Sequence, residues 1–133
     1  MPGDLDHIEV NVSNLGKSAA FWGPFLDMLG YSEYQRWPEG ISFKRGSTYL
    51  VFVQTKKRHF NVPFHRCRTG LNHLAFSAES PEQVDTITEW VKGKGLRILY
   101  EDRHPHAGGP ENYALYLEDP DRIKVEVVAR SRR

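Results

Sequence analysis

Two histidines and one glutamate could do chemistry here because of where a half-chain repeat places them. Laying Leu5-Asp6-His7-Ile8 over Leu71-Asn72-His73-Leu74 takes an offset of 66 residues, half of the 133-residue chain. An internal repeat is read before anything else, and this one makes His7 and His73 equivalent. Glu126 follows near the end of the chain, in Lys124-Val125-Glu126. Two neutral imidazole nitrogens and one carboxylate oxygen on rigid strands, with other positions open, suit a catalytic site for Fe(II), Mn(II), Zn(II), Ni(II) or Co(II). The open positions would admit water or a substrate. Taken singly, each residue is also what a hydrogen-bonded strand histidine or a solvated glutamate looks like; the repeat joins them.

Strands must position these side chains, and a strand sends alternate residues to opposite faces. Ile8, Val10 and Val12 oppose His7, Glu9 and Asn11; Leu74, Phe76 and Ala78 oppose His73, Ala75 and Ser77; Ile123, Val125 and Val127 oppose Arg122, Lys124 and Glu126. Each apolar set belongs under a helix. The opposite faces carry the two imidazoles and the carboxylate. A base or proton donor is also needed. Glu9, two residues from His7, and Lys124, two from Glu126, could serve once burial shifts their pKa values. Their plainer readings are a solvated carboxylate and a salt-bridging lysine.

Each half reads β-α-β-β-β. The first half has strands at about 5 to 12, 31 to 37, 40 to 45 and 48 to 54, with a helix at about 15 to 29. The second has strands at about 71 to 78, 96 to 101, 112 to 118 and 122 to 128, with a helix at about 82 to 94. Gly23-Pro24 should kink or split the first helix after Trp22. Asp119-Pro120-Asp121 is turn chemistry between the last two strands. Residues 55 to 70 and 102 to 111 read as long loops, and 130 to 133 as a solvated end.

Composition bounds the function. The length fits one domain, 1–133, with modules at about 5–54 and 71–129. Eighteen Lys and Arg against seventeen Asp and Glu leave a net charge of +1, too little for a nucleic-acid partner. No apolar run reaches the roughly 18 residues of a membrane span, and the start lacks a basic region before an apolar one, so a cytoplasmic location is expected. The single cysteine, Cys67, rules out an internal disulfide and a thiolate cluster. Flanked by Arg66 and Arg68, it could be a nucleophile, though no local signature accompanies it.

With these residues in place, the sequence resembles the vicinal oxygen chelate superfamily, which includes glyoxalase I, fosfomycin- and bleomycin-resistance proteins and extradiol dioxygenases. The resemblance covers residues 5 to 129. Its most specific piece is Glu118-Asp119-Pro120-Asp121-Arg122-Ile123-Lys124-Val125-Glu126, similar to the family's acidic-Pro-Asp turn with a terminal metal-ligand glutamate. Leu5-Asp6-His7-Ile8 and Leu71-Asn72-His73-Leu74-Ala75-Phe76 resemble its two His-bearing strands. The resemblance implies an α+β fold: two tandem β-α-β-β-β modules forming a U-shaped mixed sheet around a metal, helices outside, often as a homodimer. It also implies metal ligands His7, His73 and Glu126. Four-ligand glyoxalase I enzymes add a carboxylate on the last strand of the first module. Here Gly46 to Arg58 holds no Asp or Glu, leaving Gln54 as the only substitute; three ligands are therefore expected. Tyr116 matches a tyrosine that contacts the phosphonate in fosfomycin-resistance members. Those members also use an arginine beyond the terminal glutamate, at a spacing this chain is too short to supply.

The expected function is a metal-dependent enzyme that chelates a small substrate through adjacent oxygens and stabilises an enolate or alkoxide, with lyase, isomerase or transferase chemistry. Two alternatives stand beside it: a non-catalytic drug- or metabolite-binding protein, and an iron-dependent extradiol-type dioxygenase. Tyr113 and Tyr116 fall on opposite strand faces, so only one can line the site; the family match favours Tyr116. Tyr34, Trp37, Phe43 and Phe52 could wall it or be plain core. His104 and His106, beside Gly108-Gly109, could be acid-base groups, part of a mobile cover, or loop histidines in solvent. His59 and His65 have no evident partner.

Overall fold

The computed structural model describes residues 3–130; positions 131–133, most of the expected solvated end, lie outside them. The chain divides into two compact units, Met1–Pro63 and Phe64–Arg133. The first comprises β1 (His7–Val12), α1 (Leu15–Met28), β2 (Ser32–Trp37), β3 (Gly40–Arg45) and β4 (Thr48–Gln54). The second comprises β5 (His73–Ser77), α2 (Pro81–Gly93), β6 (Ile98–Leu99), β7 (Asn112–Glu118) and β8 (Lys124–Arg130). Each is a mixed four-stranded sheet of one topology, in the orders β1-β4-β3-β2 and β5-β8-β7-β6. The outer strand pairs parallel with the last, and the others pair antiparallel. The β-α-β-β-β repeat expected from the sequence is the fold of each unit.

Both helices begin and end by the same devices. Asn14 accepts from the Lys17 amide at 3.0 Å, and Ser80 from that of Gln83 at 3.2 Å, satisfying amides that have no partner within the helix. At the other end Gly30 (φ +88°) and Gly95 (φ +66°) take the left-handed conformation. The amides of Gly30 and Tyr31 then bond back to Asp27 and Leu26, and those of Gly95 and Leu96 to Lys92 and Val91. This closure satisfies the last carbonyls.

α1 is not split at Pro24, against one half of the kink-or-split expectation. It runs unbroken through Pro24, although an internal proline removes a hydrogen bond and costs about 3 kcal/mol. Packing offsets that cost: Trp22, Phe25 and Leu26 are fully buried, and the Trp22 ring stacks on Phe52 at 4.8 Å. Phe43 and Phe52 are therefore core rather than the wall of a site, whereas Tyr34 and Trp37 stay partly exposed on β2. The strand expected at 96 to 101 shrinks to Ile98–Leu99, because Tyr100 is left-handed (φ +57°) and a 3-10 turn, Glu101–Arg103, follows.

In the second unit Val84, Ile87 and Val91 of α2 are buried, as are Leu115, Leu117, Val125 and Val127 on the strands. The turn ahead of β8 is built on Asp119, whose Oδ1 accepts the amides of Asp121 and Ile123, each at 2.8 Å. Arg122 sits within it at φ +65°, which delays β8 to Lys124.

Asp119→Ala should leave both amides without this acceptor and lower stability by about 1 to 3 kcal/mol, read from urea unfolding; Asp119→Asn, which keeps an oxygen there, should lose less. His104, on the loop beside α2, has its pKa lowered, first by burial and then by the Lys92 ammonium, with Asp85 and Glu101 opposing. The folded chain thus holds fewer protons than the unfolded one just below the ordinary histidine value. Stability should fall as pH drops below about 6.5, and His104→Gln should flatten that slope in unfolding curves at pH 7.5 and 5.5.

Candidate metal centre

Register places the second unit's candidates together. β5 and β8 pair His73 with Lys124 and Ala75 with Glu126, while β7 and β8 pair Tyr116 with Glu126 and Glu118 with Lys124. Paired residues point to one face, so His73, Lys124, Glu126 and Tyr116 share the side of the sheet away from α2. Glu126 is only 6% exposed, and its Oε1 lies 3.1 Å from His73 Nε2. Nδ1 of the same ring lies 2.7 Å from Asn72 Oδ1, a contact that needs the ring proton on Nδ1 if that oxygen is the acceptor.

A neutral His73 with its proton on Nδ1 aims the Nε2 lone pair at a buried carboxylate oxygen. Two acceptors so placed repel unless a proton or a cation lies between them. Donor atoms about 2.0 to 2.2 Å from one divalent ion stand about 3 to 3.5 Å apart. The donor pair therefore fits a metal. The contact with Asn72 is of the kind that fixes tautomer and orientation in metal-ligating histidines.

In the first unit His7 repeats this arrangement. Its Nδ1 lies 2.7 Å from Asp6 Oδ2, and its ring stacks on Tyr49 at 4.7 Å. In both units the residue just before the histidine engages the same nitrogen. The register His7↔Tyr49, Glu9↔Val51, Asn11↔Val53 shows that β4 offers this face no carboxylate. Gln54 pairs with Val12 on the opposite face, and its amide is spent: Oε1 accepts from the Leu15 amide, and Nε2 donates to Ser13 and Thr55 carbonyls. Glu9 is exposed. Among the described residues no group of three or more His, Cys, Asp or Glu side chains gathers as a metal site; His73 with Glu126 is the pair brought together.

Two tyrosines complete the second unit's face. Burial raises the Tyr116 pKa first, and the neighbouring Glu126 carboxylate, to which its hydroxyl donates, raises it further. Tyr100 packs edge-on to Tyr116 at 5.4 Å and accepts a hydrogen bond from Lys124 Nζ at 3.0 Å. The Lys124 ammonium lies 4.9 Å from the Tyr100 ring and 5.1 Å from that of Tyr116. The sequence reading missed Tyr100, and nothing short of its left-handed backbone would have singled it out. Tyr113 turns the other way, its hydroxyl 2.6 Å from Asp85 of α2, and His106 packs edge-on to it at 5.7 Å. His59 accepts from Arg58, and His65 from the Cys67 amide.

Comparison with known proteins agrees with this architecture. Residues 4–127 match the Glyoxalase/Bleomycin resistance protein/Dioxygenase superfamily. An uncharacterised Bacillus subtilis protein, YqjT, is 58% identical over 127 residues, covering 96% of this chain and 99% of its own. A crystal structure from Bacillus halodurans is 59% identical and superposes with a TM-score of 0.94 over 96% of each chain. The glutathione transferase FosA of Serratia marcescens is 25% identical, over 92% of this chain and 78% of its own. With the family matched over almost its whole length, the chain belongs to the glyoxalase/bleomycin resistance protein/dioxygenase superfamily.

Proposed function

We infer that this protein is a cytoplasmic, homodimeric, metal-dependent enzyme whose small substrate offers two adjacent oxygens, and that His7, His73 and Glu126 are the protein ligands. The observation that carries this reading is the 3.1 Å approach of His73 Nε2 to Glu126, with Asn72 engaging the far side of the ring. His7, His73 and Glu126 would hold a divalent ion, which would supply Lewis acidity worth several kcal/mol to negative charge developing on the substrate's oxygens. Glutathione transfer by FosA, a relative over most of its length, puts group transfer beside lyase and isomerase chemistry. The lone Cys67, with no disulfide possible within the chain, accords with a reducing compartment, and no described helix is long and apolar enough to cross a membrane.

The chain's own residues then have separate tasks. Tyr116 donates to Glu126 and so holds that carboxylate in one orientation. Lys124, fixed by its bond to Tyr100, puts a positive charge one strand position from His73. Glu9, on the His7 face of β1 and exposed in the chain by itself, is the candidate base once a substrate covers that face.

Protein purified anaerobically should carry about one divalent ion per chain by elemental analysis, and His73→Ala should lose it. Asn72→Ala should bind the ion about 10- to 100-fold more weakly while its unfolding midpoint barely moves. No binding of any of the five metals by the intact protein would overturn the enzymatic reading. Ligand binding indifferent to chelators would favour a sequestering protein instead.

A further inference from the structure

Glu118 ends β7 with 3% of its side chain exposed, and three guanidinium groups converge on it. Arg122 Nε donates to Oε2 at 2.9 Å; Arg97 Nε lies 3.4 Å from Oε1 and Arg66 Nη1 3.7 Å from Oε2. Glu118 alone balances one of these three positive charges, with Asp119 and Asp121 close by in the same turn. A buried carboxylate needs a partner, but one well-placed guanidinium would meet the need. Three leave donors to spare, since each guanidinium has about five N–H groups. The side chains of Arg97 and Arg122 are each 68% exposed, so much of that donor surface faces solvent.

Two further details describe how the cluster is held. Oε1 is buried yet accepts no hydrogen bond: the nearby Arg97 guanidinium is not drawn fully onto it. Arg122 holds φ +65°, where glycine would be at ease, and strain of this kind concentrates at functional positions. Asp119, the neighbouring acid, uses Oδ1 on the turn amides of Asp121 and Ile123. Arg66 Nη1 also donates to the Arg122 carbonyl at 3.3 Å, bracing the turn that carries the exposed guanidinium.

The cluster lies on the face of the proposed metal ligands. Glu118 pairs with Lys124, and Lys124 with His73. Two strand spacings of about 4.8 Å put Glu118 roughly 10 Å from His73.

We propose that Arg97 and Arg122, organised over Glu118 and braced by Arg66, form an oxyanion-binding subsite for a carboxylate or phosphate group at the end of the ligand remote from its chelating oxygens. Only the assignment of both ends to one ligand rests on the metal-site reading; the subsite stands on its own residues.

The test is titration of the whole protein, followed by calorimetry and amide NMR, with inorganic phosphate in one arm and succinate in the other, ionic strength held constant with chloride. Saturable binding is expected, with shifts centred on Arg97 and Arg122, and the tighter arm identifies the oxyanion. Arg122→Gly suits the left-handed turn and so preserves it; this variant and Arg97→Gln should each bind about tenfold or more weakly. His73→Ala should bind the anion as the wild type does, so failure of the metal reading leaves this result untouched. Absence of saturable binding in both arms, or equal binding by Arg122→Gly and the wild type, would overturn the proposal.

Discussion

The parallel register of β5 against β8 is the constraint on which the second unit's face depends. It sets Ala75 opposite Glu126 and His73 opposite Lys124, so the small Ala75 leaves Glu126 reachable from His73. A slip of one residue would send every side chain of β8 to the other face, putting Glu126 and Lys124 beneath α2 and bringing Val125 and Val127 out. The buried valines make that slip expensive, and the Asp119 turn sets where β8 begins. Two forces thus hold one alignment: apolar burial on the helix side and backbone hydrogen bonds at the strand's entrance.

The two units spend one scaffold differently. Both engage the histidine Nδ1 from the preceding side chain, Asp6 or Asn72, and both close the helix on a left-handed glycine. Their last strands diverge. β4 offers its polar face Tyr49, Val51 and Val53, which stack or pack, whereas β8 offers Lys124 and Glu126. The last strand therefore carries a carboxylate on this face in the second unit and none in the first, where Gln54, the nearest equivalent, is turned to the helix side to hold the start of α1.

Much of the fold was legible because local signals agreed with one another. Alternation along Ile8-Val10-Val12 and Val125-Val127, the glycines at 30 and 95, and Asp119-Pro120-Asp121 each report a near-neighbour constraint that one stretch of chain contains. Pro24 does not split α1: its penalty is local, while the compensation, aromatic packing onto Phe52, comes from a strand about 30 residues away. β6 was overestimated because the left-handed Tyr100 carries no compositional mark. Phe43 and Phe52 were ambiguous for a related reason: an aromatic on a strand looks alike whether it faces a ligand or a helix.

The sequence by itself determined the repeat, the strand faces and the donor types, since periodicity and chemistry are written residue by residue. It therefore also determined that His7, His73 and Glu126 belong to polar faces. The tertiary structure decided which groups meet. It brought His73 Nε2 within 3.1 Å of a Glu126 oxygen, set Tyr100 against Lys124, and gathered three arginines on Glu118. Apart from Arg122 with Glu118, four residues away in the same turn, those encounters join positions far apart in the chain, and their distances are set by sheet register and packing, which no local stretch of sequence encodes.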